Sequence, residues 1–213
     1  MLAVLTSDQL AHSLFPLGDT IKSQVREEAA QRGLLVADKA DSHDICFIAD
    51  GDTKAFLQQH IGVRPGAIKD AVSGDVVGEH DGAHAFTVGQ RRGLGLDVSA
   101  PDRARRYVVD VDVASNTVVV GPPELLDVDL ISAGQPIWCG TALGEDPAAV
   151  SVQVRAHGDC VAAHVSYDVT ADHVVARLAE PIRGVAAGQA LVVYDGTRVL
   201  GSATIVSATR RAC

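Results

Sequence analysis

The stretch Arg64-Pro65-Gly66 divides this sequence into two grammars, and the division sets what the chain can fold into. Before it, apolar residues recur at intervals of three and four. After it they alternate, and turn-forming pairs return every few residues. A chain written this way predicts helices first and sheets afterwards, an α+β arrangement rather than alternating β-α units.

The helical part has readable punctuation. Thr6-Ser7-Asp8-Gln9 matches a capping box with Thr6 as the cap, and Leu10 and Leu14 then share a face, until Pro16 and Gly18 end the helix. A second helix is predicted from about Ser23 to Gly33, with Val25 and Ala29 inward and Arg26, Glu27, Glu28, Gln31 and Arg32 outward. A third runs from a cap at Asp52 to about His60 and closes at Gly62. Val4 and its apolar neighbours read as the end of a strand whose sheet lies elsewhere.

Beyond Pro65, residues 67–69 and 76–78 flank Ser73-Gly74-Asp75 as a hairpin. Tyr107 to Val113 alternates, turns at Ser115-Asn116 and returns through Thr117 to Val120. Gly121-Pro122-Pro123 is the next boundary. Strands are then predicted at 150–155, 161–167, 173–178, 190–194 and 199–206, the spacing of a sandwich or small barrel. No internal repeat is evident. The expected division is 1–63 for the helical part, 64–123 for a small β-rich linker domain and 124–213 for a C-terminal β-barrel.

Composition narrows the function classes. Aromatic residues make up 4% of the chain, so the core must come from small and β-branched side chains. No run approaches the roughly 18 apolar residues of a membrane helix, and the N-terminus lacks a signal-peptide pattern, so the expectation is a cytoplasmic protein with no membrane partner. Cys46, Cys139, Cys160 and Cys213 form no CxxC pair, and the eight histidines show no ligand spacing; no metal site is predicted. The net charge of -9 weighs mildly against nucleic acid, yet Arg91, Arg92, Arg103, Arg105 and Arg106 fall close together. A solvated loop is the plain reading of that cluster.

Two stretches carry chemistry. In Asp41-Ser42-His43-Asp44-Ile45-Cys46-Phe47-Ile48 a single cysteine sits in an apolar run beside polar residues and before the turn formers 50–52. A thiol at the edge of a short buried strand is held still while staying reachable, as a sulfur nucleophile requires. Its plain reading is a small buried hydrophobe. In Thr87-Val88-Gly89-Gln90-Arg91-Arg92-Gly93-Leu94-Gly95 the glycines let the backbone, and two cations, approach a phosphate.

These stretches, with Leu14-Phe15-Pro16-Leu17-Gly18 and Lys22 with Val25-Arg26, make the chain similar to the tRNA-specific uridine thiolases, also called tRNA 2-thiouridylases or tRNA-uridine 2-sulfurtransferases. The similarity is specific from Leu10 to Leu96 and looser beyond Leu130, where Ala187-Gly188-Gln189-Ala190 and Tyr194-Asp195-Gly196 still fit. The resemblance implies that the helical part is the remnant of a nucleotide-binding α/β domain. It implies ATP as a substrate of the complete enzyme, activating the wobble uridine oxygen, and a cysteine persulfide that delivers sulfur to C2. It makes Cys46 the sulfur carrier, a second cysteine the releasing group through a disulfide, and tRNA and a sulfur-donor protein, such as a cysteine desulfurase or relay protein, the partners. It offers Gln90, Arg91, Arg92, Arg155 and Gln189 as tRNA contacts.

Departures from the family pattern shape the expectation. The sequence has no Ser-Gly-Gly-x-Asp-Ser phosphate loop and no counterpart of the family's first cysteine, so the chain alone is expected to be inactive. Ala156 stands after Arg155 where the family commonly has Tyr, which removes a stacking surface. Asp41 and Asp44 would raise the Cys46 pKa above its free value of about 8.5, so a positive group must offset them. The plain reading of Gln90 and Gln189 is that each bonds nearby backbone in a turn. A β-barrel module that grips tRNA or a partner with no chemistry at Cys46 is the alternative function, and a redox-sensing thiol has only the lone cysteine behind it.

Overall fold

The computed structural model describes residues 2–39, 48, 53–96, 105–156 and 158–210. They form two compact units, one of Met1–Ser7 with Val63–Cys213 and one of Asp8–Gly62. Among the described residues, three α-helices, a four-stranded sheet and a closed six-stranded barrel make an α+β fold with a C-terminal barrel.

The helices are α1 (Ser7–Ala11), α2 (Lys22–Gln31) and α3 (Thr53–Ile61). Helix α2 ends as its sequence requires. Gly33 takes a left-handed φ of 68°, and the N–H of Leu34 reaches back to the Ala29 carbonyl at 2.9 Å. Val25 and Ala29 are half-buried as expected, although α2 contains no fully buried residue. The first helix is shorter than the pattern suggests. Leu14 lies beyond it and is almost fully exposed, so Leu10 and Leu14 share no helical face. The Asp52 cap lies outside the described residues.

The sheet holds β1 (Gly66–Asp70), β2 (Val76–His80), β3 (Tyr107–Asp112) and β4 (Thr117–Gly121) in the order β2-β1-β4-β3. Two antiparallel hairpins are joined through a parallel pairing of β1 with β4. Ile68, Val108, Val118 and Val120 are wholly buried between this sheet and the segment carrying Ala83 and Leu94. At the first hairpin Asp70 accepts from the N–H groups of Val72 at 2.9 Å and Ser73 at 3.2 Å, and Arg106 Nε donates to it at 2.9 Å. Burial alone would raise the Asp70 pKa; the Arg106 bond and the two amides outweigh it and hold the carboxyl below 3.8. Arg106 therefore leaves the surface cluster that its sequence position suggests, with only 9% of its side chain exposed.

The barrel comprises β5 (Asp127–Trp138), β6 (Ala148–Gln153), β7 (Val161–Asp168), β8 (His173–Arg183), β9 (Ala190–Asp195) and β10 (Arg198–Thr209). Its closed order is β10-β5-β8-β7-β6-β9, with every neighbouring pair antiparallel. Alternation puts Ile131, Val165, Val174, Leu178, Leu191, Val193 and Ile205 inside at close to zero exposure. Small and branched side chains suit this interior, since a barrel of few strands is just wide enough to be filled by them. Each such burial stabilises the fold by about 1.5–3 kcal/mol.

Two further features depart from the sequence reading. Strand β5 has no counterpart among the predicted strands; it contains the triplet Gly134-Gln135-Pro136, which it absorbs with a left-handed Gln135 (φ 53°) and irregular pairing to β10. The residues around Val4 form a 3-10 turn, Leu2–Val4, rather than a strand end. The turn rests on β10, where Ser202 Oγ donates to the Ala3 carbonyl at 2.7 Å.

Candidate nucleic-acid interface

Between β2 and β3 the chain forms a 3-10 turn at Ala83–Ala85 and then the glycine-rich loop. Thr87-Val88-Gly89-Gln90 closes a β-turn, with the Gln90 N–H donating to the Thr87 carbonyl at 2.9 Å and Gly89 at a φ of 89°. Positive φ at the third residue is the type II requirement, which is why glycine stands there. The Gln90 side chain completes the turn. Its Oε1 accepts from Thr87 N–H at 3.1 Å, and its Nε2 donates to the Arg92 carbonyl at 2.9 Å. The turn is anchored on β3 by Gly89 N–H to Val108 O at 2.8 Å and Val108 N–H to Gln90 O at 2.9 Å. Arg91 and Arg92 follow, both exposed. Gln90 thus shapes the loop, and the two arginines are what the loop displays.

The barrel builds the same turn a second time. In Ala186-Ala187-Gly188-Gln189 the Gln189 N–H donates to the Ala186 carbonyl at 3.4 Å, Gly188 has a φ of 84°, and Gln189 Oε1 accepts from Ala186 N–H at 3.1 Å. Gly188 N–H and Gln189 O pair with Ile205 at 2.8 Å each, as Gly89 and Gln90 pair with Val108. A recurring Gly-Gln pair is the signal the sequence held, but Gly134-Gln135 shares the dipeptide without the turn, so the dipeptide alone does not decide.

Gln189 and Arg155 line one cleft of about 300 Å³, together with Ala3, Gln153, Ala156 and Tyr194. Tyr194 Oη donates to Gln153 Oε1 at 2.9 Å, which orients that amide so that its Nε2 holds the Gly158 carbonyl at 2.7 Å. Arg155 Nη2 donates to the carbonyls of Arg183, at 3.1 Å, and Gly184. The sequence reading missed Gly184. It lies in the left-handed region (φ 69°), and a methyl group built on Gly89 would sit 3.8 Å from its Cα. The arginine loop of the sheet therefore meets the barrel rim at this point.

Behind the loop, His80 is buried against Phe86, with ring centroids 5.3 Å apart, and its Nδ1 accepts from Gly82 N–H at 3.0 Å. Burial pushes the His80 pKa below 6.5, partly offset by the Asn116 backbone and Asp81, while His84 lowers it further. The histidine packs in the interior beneath the loop. Cys46 lies outside the described residues, as does Arg103. Cys139 is a half-buried and Cys160 an exposed free thiol. Among the described residues no three His, Cys, Asp or Glu side chains converge as a metal site would need, and no helix is long and apolar enough to cross a membrane.

Three family models match the chain in succession. Residues 1–50 match the tRNA methyl transferase HUP domain, 54–122 the tRNA methyl transferase PRC-barrel domain, and 128–205 the aminomethyltransferase beta-barrel domain. The second match takes in α3 as well as the sheet. Sheet, barrel and matches together define the architecture of a tRNA-modifying family. Proteins named tRNA-specific 2-thiouridylase MnmA are 55% identical in Salinispora tropica (97% of this chain, 58% of the relative) and 55% in Beutenbergia cavernae (100% and 56%). One from Streptomyces avermitilis is 52% identical over 100% of this chain and 56% of its own length. The chain belongs to the tRNA-specific 2-thiouridylase family, and it spans little more than half the length of these curated relatives.

Proposed function

We propose that the chain serves in 2-thiolation of tRNA, with Cys46 as the sulfur carrier and the sheet and barrel, set apart as 64–123 and 124–213, as the RNA-holding part. The observation that carries this is the 55% identity, across 97% of the chain, to a relative named for that reaction. In the complete enzyme, ATP adenylates the wobble uridine O2 and releases pyrophosphate. The terminal sulfur of a Cys46 persulfide attacks C2, and O2 departs with AMP. A thiol then attacks Cys46 Sγ, the S–S bond breaks toward the new thiocarbonyl, and the resulting protein disulfide is reopened by a reductant. A sulfur-donor protein recharges Cys46. Residues 1–213 alone hold tRNA without thiolating it, since none of their motifs cradles ATP.

Arg91 and Arg92 supply phosphate contacts at the loop, and Gln189 with the Arg155 cleft supplies the barrel's side. Such a local cationic face reconciles RNA binding with a net charge of -9. Binding of a tRNA transcript is measured against salt for the wild type and for Arg91→Ala with Arg92→Ala. The paired variant should bind more weakly, its salt slope shallower by about 1.4–1.8. An unchanged slope removes the loop from the interface. Incubation with a cysteine desulfurase and cysteine should add one sulfur to Cys46 and leave Cys139, Cys160 and Cys213 unmodified; sulfur spread over all four would sink the carrier assignment.

A further inference from the structure

Arg155 is an exposed arginine in a cleft, and at first sight another phosphate contact. Its hydrogen bonds point elsewhere. Nη2 grips the carbonyls of two successive residues, Arg183 and Gly184, where the chain leaves β8. Gly184 is buried, and its own N–H reaches the Leu126 carbonyl at 3.4 Å. A Cβ at Gly184 would run into Arg155 Nη2, so the guanidinium occupies the space a side chain would take. Gly89 stands close by, such that a Cβ built on it would lie 3.8 Å from the Gly184 Cα. A charged donor makes stronger bonds to carbonyls than a neutral one. Between two neighbouring glycines there is no side chain to take up a shift, so the position of one backbone bears on that of the other.

We propose that Arg155 is a positioning residue: by clamping the Arg183 and Gly184 carbonyls it makes Gly184 a fixed seat for Gly89, and so holds the Arg91–Arg92 loop and the Gln189 cleft as one surface. The inference rests on the RNA reading above for its purpose, but not for its geometry. It separates Arg155 from Arg91 and Arg92 in kind. Those two act on the ligand; Arg155 acts on them through Gly184 and Gly89.

Two measurements on the full chain test it. The first needs no RNA. In Arg155→Ala the amides of Gly89 and Val108, which pair the turn with β3, should exchange with solvent on the order of tenfold faster, while those of Val118 and Val120 in β4 are unchanged. Gly184→Ala keeps the Arg155 charge but breaks the clamp, and should speed the same two amides. Protected Gly89 and Val108 amides in both variants overturn the proposal, whatever the RNA does. Should Arg155→Ala not fold, Arg155→Met keeps the apolar stem and is measured in the same way.

The second is a double-mutant cycle read by binding of a tRNA transcript. Arg155→Ala should weaken binding in the wild type and change it by less than about twofold once Arg91 and Arg92 are already alanine. A full additional loss in that background makes Arg155 a direct contact and overturns the proposal. A wild-type chain that binds no tRNA defeats the RNA reading instead, and the exchange experiment still decides the clamp.

Discussion

The turn at Thr87–Gln90 and the turn at Ala186–Gln189 use one set of backbone bonds for opposite ends. In both, a left-handed glycine makes the corner, glutamine Oε1 satisfies the N–H three residues back, and a neighbouring strand takes up the remaining backbone groups. The difference is in the glutamine nitrogen. That of Gln90 is spent on the Arg92 carbonyl, which locks the loop and leaves two arginines as its exposed face. Gln189 instead lines an open cleft. A glutamine can thus be scaffold in one copy of a turn and surface in the other, with no change in local fold.

Glutamate at each position exposes that difference most sharply. It keeps the acceptor and removes the donor. Gln90→Glu sets a carboxylate oxygen against the Arg92 carbonyl and should cost about 2–3 kcal/mol in thermal unfolding. Gln189→Glu should stay within about 0.5 kcal/mol of wild type in stability while weakening tRNA binding by like-charge repulsion. Equal destabilisation would break the contrast. A smaller effect tests the shared backbone. Gly89→Ala and Gly188→Ala should each cost about 1–2 kcal/mol from left-handed strain, since neither methyl meets an atom closer than ordinary contact. Any excess at Gly89 measures its seat on Gly184.

The smallest effect separates the two by pH. Only the first turn follows a buried histidine. His80 titrates at 6.5 when unfolded and lower when folded, so its stabilisation is complete above 6.5 and is lost as pH falls below it. Melting temperatures taken from neutral pH downward should show a loss through this range that His80→Gln abolishes. Asp70 and Asp127 do not confuse the result. The Arg183 bond to Asp127 and the Arg106 and amide bonds to Asp70 hold both carboxyls below 3.8, so their stabilisation is lost only in stronger acid. A pH response that survives in His80→Gln would detach the histidine from the turn.

The order of parts was legible because Pro65 marks a real change of period, and the hairpin over residues 66–80 follows from alternation around Ser73-Gly74-Asp75. Strand β5 was not, since a breaker triplet in sequence can be a bend in a barrel strand once two neighbours hold it. Arg91 and Arg92 were legible as a glycine-flanked cationic pair. Arg106 was misread for want of its partner, because Asp70 is 36 residues away and no local pattern announces a buried ion pair. The carbonyl clamp of Arg155 was likewise out of reach, as it joins residues 28 and 29 positions apart through backbone atoms that carry no side-chain code.

The closure of the barrel has a consequence for biosynthesis. Strand β10 pairs with β5 on one side and β9 on the other, so five strands leave the ribosome before any ring can exist. Until then β5 and β9 are open edges, able to recruit strands from other nascent chains. The turn at Leu2–Val4 waits just as long, because its hydrogen bond comes from Ser202, 199 residues later. Residues 2–4 therefore find their place only after Ser202 has been made, and nascent chains halted before β10 should be the form of this protein that most needs a chaperone.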